Sequence, residues 1–259
     1  MTDAPCLFDQ SLLRTRLKRA LKKGAVNFLL ERVAEDFELR LQALARSFDM
    51  VADIGTLGPH ATLKLLASQR FARVIRQAPL EEVLGTGAWQ NIIGETSLVP
   101  FASQSLDAVA SLLAFQWVDD LPGLLIQIKR ALKADGLFIA CLLGGQTLHE
   151  LRDSFARAEI ECEGGLSPRV SPFADLRDIG ALMQRAGFAL PVVDTETITV
   201  RYQTPLALFA DLRAMGATNV LIERRKTPLR RKTLLRALEV YAENYSDDDG
   251  RIQIGRAHV

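Results

Sequence analysis

Between residues 50 and 145 the chain carries five short apolar runs, with stretches of helical spacing after the first, second and fourth. The runs are "MVADIG" (50–55), "ARVIRQA" (72–78), "WQNIIGE" (89–95), "LDAVASLLAF" (106–115) and "LFIACLLGG" (137–145). A strand that is apolar at every position must be buried on both faces, and a parallel sheet layered between helices provides that burial. Parallel strands in turn need long crossover connections, and the intervening segments, such as "LPGLLIQIKRALKADG", supply them as amphipathic helices. The pattern therefore predicts an α/β fold, a mostly parallel twisted sheet with helices on both faces. In such sheets ligands bind outside the carboxyl ends of the strands.

The flanks read differently. Residues 11–47 carry apolar residues at three- and four-residue spacing and are predicted helical. After residue 145, helices are expected at 146–160 and 173–187, separated by "ECEGGLSPRVSP", which is too rich in Gly and Pro for either element. A sixth strand, "PVVDTETITVRY" (191–202), is followed by helical stretches at 205–215 and 229–245. The implied organisation is a helical segment at 1–48, a core at 49–145 and an extension at 146–250 that completes the sheet. At the end, "DDDGRIQI" begins a strand expected to pair briefly near 251–255, between the fifth and sixth strands and antiparallel to its neighbours. "GRAHV" then breaks the apolar pattern. The last strand is thus expected to be truncated, 256–259 to lack regular structure, and 254–259 to be a non-native tail.

Charge and cysteine usage exclude several classes. Lys and Arg (32) balance Asp and Glu (31), so no global field favours nucleic acid. "RLKRALKK" (16–23) and "ERRKTPLRRK" (223–232) are locally basic, either solvated faces or a patch for an acidic protein or a membrane surface. Cys6, Cys141 and Cys162 are scattered, which fits a reducing compartment, and His60, His149 and His258 do not suggest a metal cluster. No apolar run reaches the roughly 18 residues of a membrane span, leaving peripheral membrane contact open. The N-terminus lacks a secretory pattern, and a cytoplasmic protein is expected.

The candidate chemistry starts at "VADIGTLGPHATLKLL" (51–66), where the first strand ends in Asp53 and Gly55, with Gly58 in the turn before a helix. A Gly at such a turn lets the backbone bend without a Cβ in the way. Counting about 20 residues on, to where nucleotide folds place a ribose-binding acid, reaches Gln77, which lacks the charge that would strengthen the bond. Further along, "GETSLVPF" stands close to the G-D-A/E-x-L-P-F segment of class I methyltransferases. "SLDAVASLLAFQWVDDLPGLLIQIKRALKADG" matches their F-D-x-V…L-x-W…L…R-x-L-K-P-G-G stretch. In the glycine-rich loop of that family, G-x-G-x-G, the three places are held here by Gly55, Leu57 and Pro59.

"LFDQSLLRTRLKRA", "GGLSPRVSPFADLRDIGALMQRAGFALPVVDTETITVRY" and "DLRAMGATN" narrow the likeness. Nearly the whole chain resembles the family of the methyltransferase-like assembly factor of mitochondrial respiratory complex I and its alphaproteobacterial relatives. More distantly it is similar to the malonyl-carrier-protein O-methyltransferase of biotin synthesis. The resemblance implies a Rossmann-like core at 49–145 that binds S-adenosylmethionine (SAM), and a protein substrate or assembly partner. For the mitochondrial member it implies modification of an arginine, described as hydroxylation. Carried over, Asp53, Gly55 and Gly58 would line the methionine end of the cofactor, Glu95 and Thr96 the adenine, and Ser111 the pocket at the end of the fourth strand. Trp117, Asp119 and Asp120 lie just past that strand. Trp117 is either a packed aromatic or a cation-binding face. Asp119 and Asp120 either pair with a guanidinium or cap a helix. Arg169, on the "SPRVSP" loop, is either catalytic or a structural anchor. Two other functions stay open: an O-methyltransferase acting on a carrier-bound carboxylate, and a non-catalytic assembly chaperone whose cofactor site has decayed.

Overall fold

The computed structural model describes residues 6–247 and, for the backbone alone, residues 252–258. In chain order the helices are α1 (Gln10–Lys22), α2 (Phe28–Gln42), α3 (His60–Ala67), α4 (Glu81–Leu84), α5 (Leu121–Ala131), α6 (His149–Glu163), α7 (Leu176–Arg185), α8 (Pro205–Ala214) and α9 (Arg231–Tyr245). The strands are β1 (Phe48–Ile54), β2 (Phe71–Ala78), β3 (Gln90–Ile93), β4 (Leu106–Leu112), β5 (Leu132–Cys141), β6 (Thr197–Tyr202) and β7 (Ile252–His258). They divide into two compact units.

The first unit holds Asn27–Leu142 and Leu176–Val193. Its sheet has the order β3-β2-β1-β4-β5, with every neighbouring pair parallel. Val51, Ala52 and Ile54 of β1 and Val109 of β4 are almost fully buried, which is why these runs carry no polar alternation. The chain steps outward from β1 to β2 and β3, then returns to lay β4 on the other side of β1. The strand order therefore reverses between β1 and β4, the place where α/β sheets open a crevice for ligands. On β4 and β5, Leu124, Ile128 and Ala131 of α5 join Leu106, Val109 and Leu132 in one apolar cluster. Phe188, just past α7, stacks on Phe138 of β5 with ring centroids 5.3 Å apart.

The second unit contains α1, Leu143–Asp175 and the residues from Asp194 onward. Here α6 and α9 pack through Leu151, Phe155, Ala158, Ala237 and Tyr241. Ahead of α1, Phe8 bridges Leu221, and the Asp9 side chain caps the helix by accepting from the Leu12 N–H at 2.9 Å.

Three expectations change. The helix predicted over 11–47 is two helices, because Gly24 adopts φ +85°, a left-handed turn that closes α1 while the apolar spacing runs on through it. The fifth strand begins at Leu132, so α5 ends at Ala131 and not at Gly136. The last strand does not enter the main sheet: β7 pairs antiparallel with β6 alone, in a separate two-stranded sheet, from Thr197↔His258 to Tyr202↔Ile252. Residues 256–258, expected to lack regular structure, are part of that strand. Residue 251 and Val259 lie outside the described residues, as do the side chains of 252–258. The alternation at Ile252 and Ile254 was a strand signal, and an antiparallel partner satisfies the backbone groups on the edge that faces it.

Candidate functional site at the carboxyl edge of the parallel sheet

The carboxyl end of β1 is built around a buried charge. Asp53 is fully buried and accepts from Thr56 Oγ1 at 2.5 Å and Thr62 Oγ1 at 2.7 Å. Across the strand pair it faces Arg76, also fully buried, whose Nε lies 4.0 Å from Asp53 Oδ2. Arg76 donates in addition to the carbonyls of Leu84 (2.9 Å) and Thr56 (3.1 Å). Burial raises the Asp53 carboxyl to about 6, against the pull of the two threonine bonds and of Arg76. Thr56 Oγ1 also accepts from the Leu112 N–H at 3.0 Å, so the loop after β1 is tied to the end of β4. Arg76, Thr56 and Thr62 were not singled out in the sequence; the available signal was an arginine inside the otherwise apolar run "ARVIRQA".

Gly55 has φ +80°, and a Cβ there would stand 2.6 Å from Thr96 Cγ2 and 2.8 Å from Ala114 Cβ. The loop after β1 thus touches the turn after β3, and only glycine permits that approach. Gly58 instead packs under its own neighbour, with a Cβ position 2.6 Å from His60 Nδ1.

Gln77 is opposite Ile54 in the register and is almost fully buried. Its Nε2 donates to the carbonyls of Glu95 and Leu98, both at 2.8 Å, so this amide holds the Glu95–Thr96 turn in place. Gln77 Oε1, Ser111 Oγ and Gln116 Oε1 are buried side-chain atoms with no hydrogen-bond partner among the described residues. Ser111 sits near the end of β4, about two strand spacings (roughly 10 Å) from β2. Orphaned buried polar atoms are rare, and three of them near one sheet edge fit a ligand bearing hydroxyl and amine donors.

Asp53, Gly55, Gln77, Glu95, Thr96 and Ser111 are therefore brought together, with Gly58 at the rim of the loop. Among the acceptor-side candidates, Trp117 ends a short 3-10 turn (Phe115–Trp117) and is half-buried, as is Asp119. Asp120 caps α5, accepting from the Gly123 N–H at 2.8 Å, which is the capping alternative realised. Arg169 lies in the other unit, and there its guanidinium is held by the buried carboxylate of Glu159 and stands over the Phe155 ring, 5.6 Å from its centroid. Its contacts are those of an anchor. Among the described residues no group of His, Cys, Asp and Glu could hold a metal, and no helix is long and apolar enough to cross a membrane.

Comparison with known proteins identifies the fold's family. Residues 52–140 match the methyltransferase domain model. The chain is 37% identical to the mitochondrial arginine-hydroxylase NDUFAF5 of Rattus norvegicus, over 95% of this chain and 74% of that protein. The chain belongs to the NDUFAF5 family and carries a methyltransferase domain. It is also 34% identical to malonyl-[acyl-carrier protein] O-methyltransferase 1 of Coxiella burnetii, over 89% of this chain and 76% of that protein. The YcgJ protein of Bacillus subtilis shares the fold, with a TM-score of 0.57 at 14% identity, over 84% of this chain and 92% of that one. The cofactor of such methyltransferase domains is SAM.

Proposed function

We propose that this NDUFAF5-type protein binds SAM at the carboxyl edge of its parallel sheet and uses it in modifying or assembling a protein partner, with an arginine side chain as target. The likeness to the rat arginine-hydroxylase, along 95% of the chain, is the observation that carries this reading. The orphaned Gln77 Oε1 and Ser111 Oγ support the cofactor's place, and they would meet its hydroxyl and amine hydrogens. Asp53, Gly55 and Gly58 shape the loop under its methionine end, and Glu95 and Thr96 face its adenine. When bound, SAM supplies an electrophilic methyl on a sulfonium.

The residues of this chain contribute geometry. Gln77 fixes the Glu95–Thr96 turn through two carbonyls, and Thr56 fixes the loop to β4, so the pocket is rigid before a ligand arrives. Holding an acceptor in line with the reacting atom is worth several kcal/mol of barrier, and a rigid pocket is what makes that possible. Trp117 and Asp119, on the segment that leaves β4, offer a ring face and a carboxylate to a guanidinium.

The likeness to the Coxiella O-methyltransferase favours a second reading, in which the acceptor is a carrier-bound carboxylate. Leu57 and Pro59, in two of the loop's three glycine places, favour a third, an assembly chaperone with a decayed cofactor site. One experiment separates the three. The protein is incubated with SAM and its co-purified partner, and the partner's peptides are weighed by mass spectrometry. An arginine one methyl group heavier is expected, the methyl leaving SAM as its demethylated product and the guanidinium giving up a proton. A methyl ester on a carrier, or an unchanged partner, would decide for the second or third reading.

A further inference from the structure

The second unit contains a half-open cavity of about 650 Å³, walled by Leu7, Leu166, Val170, Phe173 and Leu221 and entered by Arg152. Its size suits a few side chains or a small ligand. Leu166 is 67% exposed, an apolar residue held out toward solvent. The wall is rigidly built. Glu159, 2% exposed, accepts from the Ser167 N–H at 2.7 Å, from Ser167 Oγ at 2.6 Å and from Arg169 Nε at 2.9 Å. Residues 166–170, with Pro172 and Phe173, form one wall of the cavity, and Ser167 and Arg169 within it are tied to Glu159. Arg152 donates to the Ser171 carbonyl at 3.1 Å and has no carboxylate partner among the described residues.

The cavity borders strongly basic segments. Leu7 lies three residues before α1, and Leu221 three residues before Arg224; the two stretches pair through the Asp9 N–H to Val220 O (2.8 Å) and the Ile222 N–H to Leu7 O (3.0 Å). Residues 14–23 carry six Lys and Arg, residues 224–232 carry six more, and neither stretch contains an acid. The rest of the chain has 20 cations against 31 acids, so positive charge is concentrated in these two segments along the sequence, although Arg224 pairs with Asp9 and Arg225 with Glu163. Arg19, Lys22 and Lys23 are exposed and have no ion-pair partner among the described residues.

We infer that this cavity and the basic segments beside it dock an acidic segment of a partner protein, with one apolar side chain in the cavity and a neighbouring carboxylate on Arg152. The inference rests on the protein-partner reading above. Charge complementarity selects the occupant: an apolar cavity alone would take any hydrophobe, whereas Arg152 and the concentrated cations favour an acid next to the anchor. Glu223, the acid at the rim, opposes it.

The test uses the full chain and a fluorescein-labelled octapeptide in which Leu-Phe is flanked on each side by Asp and Glu, read by anisotropy. Saturable binding is expected, falling at least tenfold for Arg152→Gln, which keeps a donor for Ser171 O but loses the charge. A similar fall is expected for the combined Arg19→Glu, Lys22→Glu and Lys23→Glu variant, whose changes are all at exposed, unpaired side chains. Glu223→Gln should tighten binding, and replacing Leu-Phe by Ser-Ser in the peptide should abolish it. Equal binding of the Ser-Ser peptide, indifference to both charge variants, or binding to phosphatidylglycerol vesicles that the peptide does not compete would overturn the inference. SAM titration of the same variants distinguishes the two readings: a protein that docks the peptide but binds no SAM keeps this surface and loses the cofactor site.

Discussion

Replacing Arg76 with methionine is expected to destabilise the protein by about 3–5 kcal/mol at pH 8 and by much less at pH 5. At pH 8 the buried Asp53 carboxylate would lose the guanidinium beside it, and Arg76's bonds to Leu84 and Thr56 would go with it. At pH 5 the carboxyl can take up a proton, and the missing cation then matters little. The sign follows from the raised pKa. Asp53 binds its proton more tightly in the folded chain (about 6) than at its ordinary 3.8, so its stabilising share is complete below about pH 3.8 and is lost as pH rises through about 6. That share amounts to about 3 kcal/mol in full, of which about half remains at pH 5 and almost none at pH 8. Urea unfolding at pH 5 and pH 8 checks it, with Asp53→Asn as the variant that should lack the fall between these pH values. The double change Asp53→Leu with Arg76→Met should recover much of the loss, since a buried pair replaced whole by apolar groups is often neutral. A deficit of equal size at both pH values would show that the two groups are not coupled.

Gly55→Ala should lose SAM binding by at least tenfold and stability by about 1–3 kcal/mol. The new methyl would need φ +80°, unfavourable for any residue with a Cβ, and would stand 2.6 Å from Thr96 Cγ2. The loop after β1 and the turn after β3 must then separate, and those two segments carry most of the proposed cofactor contacts. Thr96→Ser removes the methyl in the way and keeps the hydroxyl, so adding it to Gly55→Ala should restore part of the affinity. If the single variant binds SAM as the parent does, the loop is not part of the site.

The parallel sheet was legible because strands buried on both faces leave a trace of apolar runs, as at β1, β2 and β4, whereas β5, at the sheet edge, is apolar but only half-buried. The break between α1 and α2 was harder to see, since Gly24 sits in a stretch whose apolar spacing continues on either side. The Asp53–Arg76 pair could not be read at all. It exists only through the register that sets residue 53 opposite residue 76, and no local pattern encodes that register. Gln77 was reached by counting to a strand end, but the two carbonyls that claim its amide come from a loop 18 and 21 residues away. Asp120 and Arg169 each had a structural and a functional reading, and only their partners, the Gly123 N–H and Glu159, show which contacts they make. The last strand was placed by analogy with a complete sheet, and the backbone found a nearer partner in β6.

The most direct test of the account is calorimetric titration of the purified protein with SAM and with its demethylated product, alongside Gly55→Ala. A rigid edge with Glu95, Gln77 and Ser111 in place, but without a carboxylate for the ribose, predicts saturable binding at one site. Its dissociation constant should lie above about 1 μM, that is, a binding free energy weaker than about −8 kcal/mol. The Gly55→Ala variant should bind at least tenfold more weakly. A folded protein that takes up neither compound at millimolar concentration would contradict the central claim that this edge of the sheet is a working cofactor site.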